Sequence, residues 1–101
     1  MADRRHYLVC YDICHPRRLR RVHRTVRDFG IPVQYSVFAC RLSRLGLADL
    51  EARLLDEINA HEDQVMIVDL GIASSPSGRT VPGAKVLGQA RGQRTEPVLV
   101  V

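Results

Sequence analysis

Asp12 stands where an apolar run ends and an arginine-rich segment begins. The run is Tyr7-Leu8-Val9-Cys10-Tyr11-Asp12-Ile13, and the arginines are Arg17, Arg18, Arg20, Arg21, Arg24 and Arg27. A carboxylate beside a row of guanidinium groups is a set suited to phosphodiester chemistry. Mg²⁺ takes one or two carboxylates and completes its octahedron with water and substrate phosphate, and Arg binds phosphate through planar, two-pronged hydrogen bonds. One carboxylate alone holds a metal weakly, but two copies of Asp12 facing each other across a two-fold axis could share one ion. A second reading of Asp12 is open at this stage: Asp is favoured near helix N-termini, where it caps unpaired N–H groups.

The groups around Asp12 also divide between chemistry and packing. Tyr11 is either a catalytic neighbour of the carboxylate or a core ring with a hydrogen-bonded hydroxyl. His15 and His23 titrate near neutral pH and could exchange protons with a substrate; equally, His15 sits where it could cap the following helix, and His23 lies on that helix's apolar flank. Phe38 either stacks on a base or fills the core. Cys10, Cys14 and His15 resemble metal ligands superficially, but thiols so spaced do not form a zinc knuckle. With Cys40 they make an odd number of cysteines, which points to reduced thiols rather than a disulfide framework. The chain contains no G-x-G-x-x-G, Walker A loop, G-x-S-x-G or H-E-x-x-H, so the common nucleotide-binding and hydrolase motifs are excluded.

These side chains must be positioned by a small number of elements. His6 to Ile13 is almost uninterrupted in β-favouring residues and reads as a strand covered on both faces. Pro16 suits the first position of a helix and Gly30 its left-handed stop, so a helix is expected over Pro16 to Phe29. Leu19, Val22, Val26 and Phe29 form its apolar stripe. At roughly 100° per residue, Arg17, Arg20, Arg21, Arg24 and Arg27 fall on the other side, with Arg18 at the flank. Val33 to Leu42 is β-rich, as one long strand or two short ones. Leu47, Leu50, Leu54, Leu55 and Ile58 mark a second helix over Leu47 to Ala60, with Asp49, Glu51, Asp56 and Glu57 on its wet side. Val65 to Leu70 is another strand, Ser74 to Gly78 a turn-rich stretch, and Val98 to Val101 a terminal strand.

This order predicts an α+β protein, a ferredoxin-like βαββαβ sandwich with an extra C-terminal strand. One domain over residues 1–101 accommodates the length, with 71–101 forming a loop and a C-terminal strand open to exchange with a partner subunit. Strands apolar on both faces require a cover for the sheet's second side, and a homodimer through the sheet supplies it.

The charge is segregated along the chain. Residues 1–44 carry ten Arg against three acids, 45–75 one Arg against seven, and 76–101 four basic residues against one acid. Polyanion binding by the first segment is the natural functional reading; a solvated helix face is the plain alternative. The longest stretch without a charged side chain, Phe29 to Cys40, has twelve residues, little more than half of a membrane span. The N-terminal run lacks the features of a secretory signal. A cytoplasmic protein with no membrane association is expected.

The strand ending Tyr11-Asp12-Ile13, the helix with Arg17-Arg18-Leu19-Arg20-Arg21-Val22, the stop at Gly30 and the segment Val33-Gln34-Tyr35-Ser36-Val37-Phe38 together resemble the Cas-two family of small CRISPR-associated endonucleases. The resemblance is strong over residues 6–42 and follows by pattern over 43–70. It implies a ferredoxin-like dimer whose C-terminal strand often joins the partner's sheet. It also implies a role in spacer acquisition, bridging copies of the Cas-one integrase and supporting captured duplex DNA. Members act as nucleases on single-stranded RNA or duplex DNA with Mg²⁺ or Mn²⁺, or serve as scaffolds. Carried over by position, the resemblance makes Asp12 the metal-binding and catalytic aspartate, Tyr11 its neighbour, Arg21 a helix arginine, and Ser36 and Phe38 motif positions.

Overall fold

The fold is described from a computed structural model, which describes residues 4–73 and 81–88. Six elements follow one another: β1 (Arg5–Asp12), α1 (Pro16–Arg27), β2 (Gly30–Gln34), β3 (Val37–Leu42), α2 (Arg44–Glu57) and β4 (Gln64–Ile72). The strands form one sheet in the order β2-β3-β1-β4, with every neighbouring pair antiparallel. This is the ferredoxin-like α+β arrangement expected from the element order. The boundary expected at residue 71 moves, because β4 continues to Ile72. The expected terminal strand Val98 to Val101 lies outside the described residues.

Strand alternation divides the side chains between two faces. Tyr7, Val9 and Tyr11 of β1 and Phe38, Cys40 and Leu42 of β3 pack against Val22 and Val26 of α1 and Leu50 and Leu54 of α2. These residues are the core. The other face carries Leu8, Cys10 and Asp12, in register with Val68, Met66 and Gln64 of β4 and, for the first two, with Ala39 and Val37 of β3. It is mostly apolar, and Met66 on it is exposed.

Two local expectations are corrected, and one that was open is decided. Helix α1 ends at Arg27 with Asp28 as its cap, and Gly30 is not its left-handed stop, since the described positive-φ glycines are Gly71, Gly83 and Gly88. Gly30 opens β2, where any Cβ would collide with the Ala39 carbonyl and Cys40 Sγ. Smallness, not handedness, is required there. Gly30→Ala is therefore expected to cost about 1–3 kcal/mol of stability, read as a shift in the midpoint of urea unfolding.

Second, Val33 to Leu42 resolves into a hairpin. Tyr35 and Ser36 form its two-residue loop between β2 and β3, and Ser36 takes φ 64°, a conformation that Asn or Gly usually supplies. Third, the buried stripe of α2 runs through Leu50 and Leu54 to Glu57 rather than Leu55. Leu55 is exposed, while Glu57 Oε2 accepts a 2.7 Å hydrogen bond from Thr25 Oγ1. A helical step of three from Leu54 reaches position 57, so the period itself turns Glu57 toward α1.

Candidate nucleic-acid interface

The arginine helix is fixed at its start by two devices. His15 is the N-cap, its Nδ1 accepting from the Arg17 N–H at 3.1 Å, and Pro16 occupies the first turn, where its missing N–H costs nothing. Of the readings open for His15, the cap is the one the geometry bears out. Asp12 does not cap the helix; it lies before the cap and is exposed.

The second device is Asp63, whose side chain is fully buried. Its carboxylate accepts from the backbone N–H groups of Cys14 at 2.9 Å and Asn59 at 2.8 Å. It also accepts from Arg18 Nε at 2.7 Å and a terminal guanidinium nitrogen at 3.2 Å. That same nitrogen donates to Glu62 Oε1 at 2.9 Å. The Arg18 guanidinium first, then the two backbone donors, hold the Asp63 carboxyl far below the usual carboxylate range against the opposing effect of burial. The loop between β1 and α1 is thereby tied to the loop before β4. Cys14 adds a further tie, Sγ donating to the Glu62 carbonyl at 2.9 Å.

This ties down one of the six arginines proposed from sequence to meet nucleic acid. Arg18 is engaged with Asp63 and Glu62 and is 19% exposed. Arg17, Arg20, Arg21, Arg24 and Arg27 are exposed, and among the described residues none of them forms an ion pair. The outer side of α1 is a row of free cations on a rigid support. On α2, by contrast, Arg53 lies 3.9 Å from both Asp28 and Asp49 and over the Phe29 ring at 5.4 Å.

Asp12 and Tyr11, adjacent in sequence, point to opposite faces of the sheet. Asp12 lies on the open face, opposite Gln64. Tyr11 is buried at 6% exposure, stacked on Phe38 with ring centres 6.2 Å apart, and its hydroxyl bonds His23 Nδ1 at 2.7 Å. Burial first, then the nearby Tyr35, raises the Tyr11 pKa, and a hydrogen bond with Ser36 works against them. Tyr11, His23 and Phe38 thus take their packing readings, with Phe38 at 1% exposure. Ser36 holds the hairpin to the end of β1, its carbonyl accepting from the Tyr11 N–H at 3.1 Å.

A hydrated hard cation needs few protein oxygens, and the exposed Asp12 carboxylate, without a hydrogen-bond partner among the described residues, can supply one. No cluster of three or more His, Cys, Asp or Glu side chains able to hold a metal occurs among the described residues. The donor set of one chain therefore fits such an ion only as half a site. The thiols offer no alternative: Cys10, Cys14 and Cys40 are free, and burial pushes Cys40 up to about 11.

The sequence gives Asp63 no role, sets Glu57 on the wet side of its helix, and shows Tyr35 only as part of the segment 33–38. A signal existed for Arg18: residues 18, 22 and 26 are spaced by four, so Arg18 shares the line of two buried valines and needs an acidic partner. No local signal identifies Asp63: Asn59 is its one partner near in sequence, while Arg18 and Cys14 lie 45 and 49 residues away.

The family described as CRISPR associated protein Cas2 matches residues 5–75, from β1 to just past β4. A protein of Geobacter sulfurreducens named CRISPR-associated endoribonuclease Cas2 is 45% identical over 69 residues, covering 68% of this chain and 73% of that one. The crystal structure of Streptococcus pyogenes Cas2 superposes with a TM-score of 0.58 at 33% identity, covering 61% of this chain and 81% of that one. A hypothetical protein from Thermus thermophilus superposes with a TM-score of 0.71 at 28% identity, covering 86% and 94%. The chain belongs to the CRISPR-associated Cas2 family.

Proposed function

We propose that this protein is a metal-dependent endonuclease of CRISPR adaptation, acting on RNA or duplex DNA held against the arginine face of α1. The observation that carries the reading is the row of five exposed arginines, unpaired among the described residues, beginning one short loop after Asp12. Arg17, Arg20, Arg21, Arg24 and Arg27 grip phosphates without regard to sequence. The relative from Geobacter sulfurreducens is named an endoribonuclease, which supports phosphodiester hydrolysis as the reaction.

The working unit is a homodimer. The apolar open face that carries Leu8, Cys10 and Met66 is covered by a second copy, which brings a second Asp12 to complete the half-site. Mg²⁺ or Mn²⁺ bound there would neutralise charge at a phosphate and acidify a water. The outer face of α2, with Asp49, Glu51 and Asp56 exposed, offers a basic protein partner such as the Cas-one integrase a complementary surface. No described helix is long and apolar enough to cross a membrane.

A second reading is favoured by one observation: Tyr11 and Asp12 face opposite ways, so they do not form a joint catalytic pair. In that reading the dimer is a non-catalytic scaffold bridging the integrase and captured duplex DNA. Cleavage and binding measured together on the wild type and Asp12→Ala, with Mg²⁺, Mn²⁺ or chelator, separate the two. The nuclease predicts metal-dependent cleavage that falls at least about a hundredfold in the variant while binding persists. Equal binding with no metal-dependent cleavage by either protein identifies the scaffold.

A further inference from the structure

Beside the arginine row, α1 and the β2–β3 turn enclose a cleft of about 420 Å³ lined by Tyr11, Leu19, Arg20, His23, Arg24 and Tyr35. That volume falls in the range of small-ligand pockets, about 300–1,000 Å³. Its composition is specific. Tyr35 stands on the turn with 81% of its surface exposed, an unusual setting for an aromatic ring that has no packing role. Tyr11 joins the lining from the core, its hydroxyl held by His23 Nδ1 at 2.7 Å. Arg20 and Arg24, one helical turn apart, bring two guanidinium groups unpaired among the described residues.

We propose that this cleft binds one unpaired nucleotide, its base against Tyr35 and Leu19 and its phosphate on Arg20 and Arg24. The physical grounds are complementary. Every base has a π-face, so stacking on an exposed tyrosine accepts any of them; a guanidinium pair suits a phosphate dianion. A base inside a duplex cannot enter such a cleft, so the ligand is single-stranded or has a base turned out of its stack. The inference rests on the nucleic-acid reading of α1 and deepens it, since it assigns Arg20 and Arg24 to a nucleotide subsite and leaves Arg17, Arg21 and Arg27 to track the backbone. The subsite is separate from the carboxylate, because Asp12 lies on the other face of the sheet.

The test is titration of the full chain with adenosine 5′-monophosphate, ribose 5-phosphate and inorganic phosphate, followed by NMR at low salt. Tyr35→Ala alters a solvent-exposed ring, and its folding is verified by the same spectra. Adenosine 5′-monophosphate should bind about tenfold more tightly than ribose 5-phosphate, and Tyr35→Ala should abolish that advantage. Arg20→Ala with Arg24→Ala should weaken all three probes, since each carries a phosphate. Equal affinity for all three probes, or a base-dependent advantage that survives Tyr35→Ala, overturns the proposal. Duplex binding, measured in parallel, tells the two readings apart. Discrimination for the base without duplex binding leaves the cleft standing and removes the wider interface; duplex binding without discrimination does the reverse.

Discussion

Replacing Arg17, Arg21 and Arg27 together by Ala should lower affinity for duplex DNA by roughly two to three orders of magnitude near 0.1 M salt. The effect is large because each arginine that meets a phosphate releases condensed counterions. If all five exposed arginines of one protomer do so, log affinity falls against log salt with a slope of about −4.5 per protomer. Removing three leaves a slope of about −1.8. Single-stranded RNA should show the same ordering with shallower slopes. Arg53→Ala is the matched control: its charge is shared with Asp28 and Asp49, so both affinity and slope should stay close to wild type. Fluorescence anisotropy over a series of salt concentrations measures both quantities. A triple variant with an unchanged slope would place the phosphate contacts elsewhere.

Asp63→Asn should lower the melting temperature on the order of 10 °C, more than any surface substitution. The amide removes the charge that compensates Arg18 and turns an N–H₂ toward a site where every neighbour is a donor. A pH dependence follows. Because the Asp63 carboxyl is depressed in the folded protein, its contribution is complete above the ordinary carboxylate pKa, about 3.9. It is lost as pH falls below that value toward the folded one. The wild type should therefore lose stability steeply below about pH 4, and Asp63→Asn should show a flatter acid limb. Asp69 is also depressed, by the Gly71 N–H first and then Arg5, but it is half exposed and its share is correspondingly small. Thermal melts at stepped pH measure this, with hydrogen exchange at the Cys14 amide reporting whether the loop before α1 has come free.

Elements with a clean period were legible in the sequence. The uninterrupted apolar run of β1 and the spacing of Leu19, Val22, Val26 and Phe29 placed a strand and a helix within a few residues of their observed ends. The order of elements was enough for the ferredoxin-like topology. What could not be read depends on approach in space. Gly30 is glycine because β3 passes too close for a Cβ, and nothing beside it in the chain announces that. The Tyr35-Ser36 turn lacks the Asn-Gly or Asp-Gly signature of a tight hairpin, so the break between β2 and β3 stayed ambiguous. The site divides in the same way. Six arginines on one helix were visible, but the withdrawal of Arg18 requires Asp63, 45 residues away. The opposed orientations of Tyr11 and Asp12 follow from strand alternation, and a pairing by sequence adjacency runs against it.

Nucleic acid on the arginine face of α1 would be felt first by the arginine side chains themselves. NMR of the arginine Nε–H groups, recorded as duplex DNA or single-stranded RNA is added to the full chain, tests this most directly. Shifts are expected at Arg17, Arg20, Arg21, Arg24 and Arg27, with Arg18 unmoved because its Nε stays on Asp63, and no response from Arg53 on α2. Shifts confined to Arg41 or Arg53, or an Arg18 signal that moves with the others, would contradict that placement.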